Sequence, residues 1–363
     1  MKSASHHLLL IELVRFLAAL SVLVWHYQHF TYVSFEPVSL VVSEQPFYFI
    51  LWPFYERGLL GVQVFWAVSG FIFFWKYKAP LATGLVDARR FFILRFSRLY
   101  PLHLMTLLLV CLLQLVYFSI NHGYFVYGFY DLGHFIAQLF FASNWVVGDL
   151  SFNGPIWSVS CEVLIYLFFY LFVTKLNPDI RMTLAVFLVC VVLSFTHLDS
   201  NVTNCLKYFL LGGLSFEWFD RMRLSQNKKR FDVVLLAAVL VLLSFLLLGY
   251  QLGVMRFRHY TFILLILIPV VLYFAPMRIR VGDRLKGIVS GLGNLTYSSY
   301  LTHFPIQLMI VSWYSYRGLA IPFYESRFFL AYLATVLVTS FLTYRYFERP
   351  LQNLIRSRCL SVR

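Results

Sequence analysis

The first apolar run of the chain, residues 8–30, carries an arginine and a histidine eleven positions apart, Arg15 and His26. At roughly 100° per residue, these side chains share one helix face about 16 Å apart along the axis. Glu12 stands three positions before Arg15, close enough for an ion pair. A neutral imidazole takes a hydroxyl proton near neutral pH, which acyl transfer to an alcohol requires. The run predicts a polar stripe with His26 as general base. The alternative is a structural Glu–Arg pair plus an interfacial histidine.

A second polar stripe follows Pro155, a residue suited to the opening turn of a helix. Ser158, Glu162 and Tyr166 recur at intervals of four and therefore face one way. An unpaired carboxylate inside a bilayer is costly, so Glu162 needs a partner. We expect Glu162 to orient or charge-pair His26, and an ion pair with an arginine is the alternative.

Ser69 and Gly70 interrupt the apolar run 58–75. Small residues allow helices to pack closely in a membrane. They also allow a ligand to approach the backbone, and the sequence leaves both interpretations open.

Hydroxyl groups surround a histidine in the run 294–312, where Ser299 and Tyr300 precede His303 by four and three positions. Pro305 has no N–H, so it frees the carbonyl of Leu301 and bends the helix. A histidine among hydroxyls at a bend favours function over a core role. The candidates for binding the substrate or an oxyanion are Ser69, Ser158, Tyr300 and His303.

Four arginines, Arg89, Arg90, Arg95 and Arg98, precede Pro101, where the pattern predicts that a spanning helix begins. Positive residues beside spans mark the cytoplasmic side. Arg95 and Arg98 also share one side of a helical turn, and guanidinium groups clamp phosphates. The segment is therefore either a topological signal or a phosphate-binding site, and an acyl-CoA is one molecule that would supply such phosphates on the cytoplasmic side.

The composition requires lipid as a solvent. The 363 residues are 60% hydrophobic and 13% charged, with a mean hydropathy of +0.75, whereas soluble domains are roughly half apolar and a quarter charged. The net charge of +14 fits basic cytoplasmic loops and not nucleic-acid binding. The five cysteines form no CxxC pair, so they predict neither a disulfide framework nor a metal site.

Eleven apolar runs approach the ~20 residues that cross about 30 Å of hydrocarbon. They are residues 8–30, 58–75, 101–120, 133–148, 157–174, 182–198, 205–219, 233–250, 259–276, 294–312 and 327–347. Basic clusters at 76–98, 221–230, 278–286 and the C-terminus should all be cytoplasmic.

Two clusters lie on the same side of the membrane only if an even number of spans separates them. One of the eleven runs therefore cannot cross, and the run 133–148 is the weakest because it is short and polar. We therefore predict an all-α membrane protein of about ten spans with both termini cytoplasmic. Residues 121–156 form one extracytoplasmic, partly re-entrant stretch. Residues 1–350 form the transmembrane domain, and 351–363 form a basic cytoplasmic tail.

Taken in order, these residues resemble the motifs of the acyltransferase-3 family of multispan membrane acyltransferases. The matching segments are Arg15 with His26, Gly61–Phe71, Arg95 with Arg98 and Pro101, Trp157–Glu162, Ser299–His303 and Phe347–Pro350. The family often has Glu-Glu-Gln where this chain has Glu162-Val-Leu, so a second carboxylate there has no counterpart.

The resemblance implies an enzyme of the bacterial inner membrane that takes an acyl group, most often acetyl, from cytoplasmic acyl-CoA. The acceptor would be a lipid-linked or surface glycan such as lipopolysaccharide O-antigen or exopolysaccharide. Acetyl-CoA would be a co-substrate rather than a bound cofactor. His26, helped by Glu162, would deprotonate the acceptor hydroxyl, and Arg15 would line the donor path. The phosphates would lie against Arg89, Arg90, Arg95 and Arg98.

Two other classes compete with this interpretation. A transporter or flippase of lipid-linked glycans would also need buried charges and a cavity. A purely structural membrane subunit explains the hydrophobicity but leaves the polar stripes without a role.

Overall fold

The computed structural model describes residues 9–33, 36–37, 40–254, 257–276 and 282–360. Within them the chain is almost entirely helical, as lipid requires of a backbone that must satisfy its own hydrogen bonds. The α-helices are α1 (Leu9–His26), α2 (Tyr48–Arg57), α3 (Gly61–Phe73), α4 (Ala79–Ala82), α5 (Ala88–Asn121), α6 (Leu132–Leu139), α7 (Ile156–Leu171), α8 (Ile180–Leu193), α9 (Asn201–Met222), α10 (Lys228–Gln251), α11 (Phe257–Phe274), α12 (Asp283–Asn294), α13 (Thr296–Tyr316), α14 (Ser326–Thr343) and α15 (Arg349–Leu360). Part of the basic cluster at 278–286 and the last three residues of the tail lie outside the described residues.

Short elements connect or extend these helices. The π-helical turns are Phe74–Lys78, Ser143–Val147, Phe172–Leu176 and Tyr344–Glu348, and the 3₁₀ turns are Tyr27–Thr31, Val42–Glu44 and Gly58–Leu60. Strands β1 (Tyr32–Val33) and β2 (Glu36–Pro37) pair antiparallel.

Side-chain caps begin several helices. The carboxylates of Asp87, Asp131 and Asp179 accept from the backbone N–H three residues later, at the starts of α5, α6 and α8. Ser200 does the same for α9. Each cap satisfies one of the N–H groups that a helix N-terminus leaves without an intrahelical partner.

Five helices among the described residues are long and apolar enough to cross a membrane: Leu9–Thr31, Tyr48–Ala82, Ala88–Asn121, Ile156–Leu176 and Ser326–Leu360. Two shorter apolar helices are Ile180–Leu193 and Ile263–Phe274. The eight residues of α6 span about 12 Å, too short to cross. This agrees with the prediction that 133–148 is not a span.

One predicted boundary is wrong. The sequence placed a helix start at Pro101, but α5 begins at Ala88 and Pro101 lies inside it. The cap at Asp87 explains the earlier start, because it satisfies the backbone N–H of Arg90. Arg95 and Arg98 therefore lie on the same continuous helix as the span itself.

The contacts within the chain define two compact units. The first unit comprises Met1–Ile11, Gln63–Leu85 and Leu171–Gly282. In it α9 packs against α8 and α11, and α9 and α3 approach closely at Gly70 and Gly212. A Cβ added to Gly70 would lie 1.8 Å from the carbonyl oxygen of Phe209. Close helix packing therefore accounts for Gly70, rather than the approach of a ligand.

The second unit comprises Glu12–Val62, Val86–Tyr170 and Asp283–Arg363. In it α13 packs against α5 and α14, and α15 packs against α5. An aromatic core follows the C-terminal end of α1, where Tyr27 and Phe30 lie 5.8 and 5.1 Å from Tyr332 between ring centroids. Aromatic packing of this kind holds the end of α1 in place.

Candidate active site

Helices α1 and α13 lie side by side in the same direction within the second unit. Arg15 Nη2 donates to Thr296 Oγ1 at 2.9 Å, and Gln307 Nε2 donates to the carbonyl oxygen of His26 at 2.8 Å. Both contacts join residues 281 positions apart. The eleven-residue spacing from Arg15 to His26 is therefore matched on α13, and the two contacts lie about 16 Å apart. We name the surroundings of the Arg15–Thr296 contact the arginine end, and the surroundings of the His26–Gln307 contact the histidine end.

Three histidines meet at the histidine end. The ring centroid of His26 lies 4.8 Å from that of His29 and 4.8 Å from that of His303. Their exposed fractions are 3%, 5% and 0%. Within the part of the chain that the structure describes, no group of three or more His, Cys, Asp and Glu side chains can hold a metal ion. The close approach of the three rings offers imidazole nitrogens for proton transfer or hydrogen bonding.

Backbone carbonyls fix the tautomers of two of these rings. His26 Nδ1 lies 2.9 Å from the carbonyl oxygen of Val22, and His303 Nδ1 lies 3.2 Å from that of Ser299. A carbonyl only accepts, so Nδ1 carries the hydrogen in each ring. In the neutral ring Nε2 then holds a lone pair, as a general base requires. In that form His303 accepts hydrogen bonds and cannot serve as an oxyanion donor.

A loop after α5 and the residues before α7 cover the histidine end. Tyr127 lies 6.1 Å from His29 and 5.1 Å from Phe304 between ring centroids. Gly154 packs directly on the Tyr127 ring, since an added Cβ would lie 2.1 Å from it. Burial raises the pKa of Tyr127 well above its ordinary value, so this wall remains a neutral phenol.

The predicted release of a carbonyl by Pro305 is confirmed, and its partner is Asn153. Asn153 Nδ2 donates to the carbonyl oxygen of Leu301 at 3.2 Å. Asn153 is fully buried, so it brings the segment before α7 against the middle of α13.

At the arginine end, the predicted pair of Glu12 with Arg15 is confirmed, with Arg15 Nη1 2.9 Å from Glu12 Oε2. Gly293 allows this carboxylate to lie against the backbone, because an added Cβ would be 1.9 Å from Glu12 Oε2. Arg98 and the carboxylates of Glu162 and Glu348 also act electrostatically on Arg15. The end is a mixed cluster of arginines and carboxylates.

Glu162 does not pair with His26, contrary to our expectation. Its Oε1 accepts from the Tyr166 hydroxyl at 2.7 Å, and its electrostatic partners include Arg15. No hydrogen bond or ion pair joins Glu162 to His26 among the described residues. Glu162 lies six residues into α7, which carries it toward the arginine end. The alternative of an arginine partner is the better description.

The four arginines on α5 differ in exposure. Arg89 and Arg90 are exposed in its opening turn, whereas Arg95 and Arg98 are half-buried. Helix α15 packs on this part of α5, and Arg356 donates to Ser97 Oγ at 3.1 Å. Residues 351–360 of the predicted tail therefore belong to a helix that packs on α5 beside the arginines.

The hydroxyl candidates lie between the two ends or in the other unit. Ser158 Oγ and the Tyr300 hydroxyl lie 2.6 Å apart, and Tyr300 also donates to the carbonyl oxygen of Pro155 at 2.9 Å. These hydroxyls therefore already have partners in the protein. Ser69 is half-buried on α3 and belongs to the first unit.

Two residues of the histidine end were missed in the sequence. His29 follows His26 by three positions but lies in the 3₁₀ turn Tyr27–Thr31, outside the helical periodicity. Gln307 follows His303 by four positions and shares its face of α13. The sequence signals available for them were the three-residue spacing of His29 from His26 and the four-residue spacing of Gln307 from His303.

Comparison with known proteins identifies the family of the chain. A family model described as an acyltransferase domain matches residues 9–345. A stretch of 115 residues is 31% identical to acyltransferase MdmB of Streptomyces mycarofaciens. The match covers 31% of this chain and 27% of that relative, well under two thirds of its length. No solved structure matches the chain. Because the family model spans nearly the whole chain, this protein belongs to the acyltransferase-3 family.

Proposed function

We propose that the protein transfers an acyl group, most often acetyl, from cytoplasmic acyl-CoA to a hydroxyl of a cell-surface glycan. Lipopolysaccharide O-antigen and exopolysaccharide are the acceptor classes we favour, and the bacterial inner membrane is the proposed location. The observation that carries the proposal is His26, whose Nδ1 is bound to the carbonyl of Val22. Family membership supports acyl transfer as the reaction class.

The proposed reaction is direct transfer at the histidine end. Nε2 of His26 takes the proton of the acceptor hydroxyl while the hydroxyl oxygen attacks the thioester carbonyl. The C–S bond breaks as the tetrahedral intermediate collapses, and the leaving thiolate takes the proton from the imidazolium. The products are the acylated acceptor and free CoA. His26 returns to its neutral form and needs no further reactant.

Donor binding is proposed for the arginine end. Arg15 lines the path, and Arg95 and Arg98 hold the donor phosphates with help from exposed Arg89 and Arg90. The separation of about 16 Å between the ends gives the acyl-bearing arm room to lie along α1 and α13. We assign Glu162 to charge balance among these arginines.

This arrangement fits the proposed topology of about ten spans with both termini in the cytoplasm. The arginine end then faces the cytoplasm, where acyl-CoA is found. The histidine end and the segment 121–156 face outward, toward the glycan.

The test measures acyl groups on the host's surface glycan by mass spectrometry. A strain lacking the gene receives wild type, His26→Ala or His103→Ala at matched membrane levels. His103 is a fully buried histidine on α5 whose Nε2 bonds the carbonyl of Gln138, so it controls for loss of a buried imidazole. Acyl groups are expected with wild type and His103→Ala, and at least a hundredfold fewer with His26→Ala.

A second measurement separates the proposal from its rival. Membranes that contain the wild type should release free CoA thiol from acetyl-CoA. An unmodified glycan with no thiol release would contradict acyl transfer and favour a transporter of lipid-linked glycan.

A further inference from the structure

Helix α12, which directly precedes α13, carries a stripe of apolar side chains on one face. Its members recur at intervals of three and four and share about 100° of the helix circumference; they are Leu285, Ile288, Val289 and Leu292. Leu285 and Ile288 are 51% and 52% exposed, and the other two are half-buried. A contiguous apolar stripe that the protein leaves uncovered marks a surface for a partner or for lipid.

Two basic side chains border this stripe. Arg284 and Lys286 lie roughly 100° to either side of its centre, one on each flank. Arg284 is exposed and Lys286 is half-buried, while Asp283 lies on the opposite face. Long basic side chains at such a border keep their stems on the apolar side and place their charge among lipid headgroups. This distribution is typical of a helix that lies at a membrane surface.

The length of α12 and its place in the second unit agree with a surface position. Its 12 residues extend over about 18 Å, which is too short to cross ~30 Å of hydrocarbon. Gly293, near its C-terminal end, packs on Glu12, because an added Cβ would lie 1.9 Å from Glu12 Oε2. Glu12 is three residues inside the candidate span Leu9–Thr31, or about 4.5 Å from its end. Helix α12 therefore leaves the helix bundle at the edge of a span.

We infer that α12 is a surface helix whose apolar stripe lies in the cytoplasmic leaflet and whose Arg284 and Lys286 bind the phosphates of anionic phospholipids. The edge of a span is already surrounded by lipid, and the cytoplasmic leaflet carries the anionic headgroups that complement two cations. A second copy of the chain would place the same cations against each other. Binding of this kind depends on the proposed topology and not on acyl transfer.

The first measurement places a fluorophore on the apolar stripe. The parent protein carries Cys111→Ser and Cys359→Ser, since the other three cysteines are buried and should not react. Ile288→Cys is labelled with the environment-sensitive fluorophore NBD, and Ser290→Cys is the matched control, two residues on and about 160° around the helix. The full-length protein is placed in vesicles of phosphatidylcholine and phosphatidylglycerol. Nitroxide groups on the acyl chains should quench position 288 at least about threefold more than position 290.

The second measurement tests the headgroup contacts. The nitroxide is carried either by phosphatidylglycerol or by phosphatidylcholine, and the ratio of the two quenching values at position 288 reports enrichment of the anionic lipid. We expect a ratio of about three or more, because two basic residues attract that lipid. Arg284→Gln with Lys286→Gln should bring the ratio close to one. Lys229→Gln with Arg230→Gln, an exposed basic pair at the start of α10, should leave it unchanged.

Equal quenching at positions 288 and 290 would overturn the surface position of α12. A blue-shifted fluorophore at 288 that lipid nitroxides do not quench would also overturn it, since a protein partner would then cover the stripe. A ratio near one before the arginine and lysine are replaced would overturn the binding of anionic headgroups. Neither measurement uses acyl transfer, so a failure of the proposed reaction would leave both results unchanged.

Discussion

Replacing Asn153 by leucine tests how the carbonyl that Pro305 leaves free in α13 is satisfied. Pro305 cannot donate to the carbonyl of Leu301, and Asn153 Nδ2 supplies that hydrogen bond at 3.2 Å. Asn153 and Leu301 are both fully buried, so water cannot replace the lost donor. An unsatisfied buried carbonyl costs about 1–3 kcal/mol. We expect a loss of about 2 kcal/mol of unfolding free energy, which is roughly 3 °C in apparent melting temperature for a chain of 363 residues.

The assay is thermal unfolding of the purified protein in detergent. Asn121→Leu is the control, because Asn121 Nδ2 donates to the carbonyl of Tyr117 in the last turn of α5, where Asn121 is only half-buried. There water can take over the bond, so we expect a change within about 0.5 kcal/mol.

A double-mutant cycle with Pro305→Ala shows whether Asn153 stabilises the protein through the Leu301 carbonyl. Alanine at 305 restores the N–H that bonds the Leu301 carbonyl within the helix. In the Pro305→Ala background, Asn153→Leu should lower the unfolding free energy by less than about 0.5 kcal/mol. The difference from the loss in the wild type is a coupling free energy of roughly 1.5 kcal/mol. Equal costs in both backgrounds would refute the role assigned to Asn153.

Two further predictions concern packing and charge. Gly70→Ala places a Cβ 1.8 Å from a backbone carbonyl and should lower stability by at least about 2 kcal/mol. Gly291→Ala has no atom within 4 Å of the new Cβ and should be neutral or slightly stabilising. Melting curves of both variants check this prediction. Equal melting temperatures would contradict the close crossing of α3 and α9. Glu162→Gln keeps an acceptor for the Tyr166 hydroxyl, so kcat for glycan acylation should stay within about threefold of wild type. A hundredfold loss of kcat would instead support a direct role beside His26.

Periodicity predicted what depends on a single helix. The common face of Arg15 and His26, the pair of Glu12 with Arg15 and the carbonyl released by Pro305 all follow from spacing within one element. These features need no knowledge of which helices become neighbours.

The rest depended on contacts between helices or on breaks in periodicity. The direction in which Glu162 faces was predictable, but its partner depends on where α7 meets α1 and α5. His29 escaped notice because the 3₁₀ turn after α1 turns it toward His26, against the helical period. The start of α5 was misplaced because Pro101 reads as an N-terminal residue, while Asp87 provides the real cap.

The two contacts between α1 and α13 have the same eleven-residue spacing on both helices, and this limits which mutations the chain can accept during evolution. Contacts at both ends join positions 281 residues apart, so the segment from Arg15 to His26 must keep its length. Deleting one residue between them would rotate one end by roughly 100° against the other and break one of the two contacts. Substitutions are a different matter, because ends about 16 Å apart with no shared partner should behave additively. The stability effects of substitutions at the two ends are therefore independent of each other, while an insertion or deletion between the ends disrupts one of the two contacts.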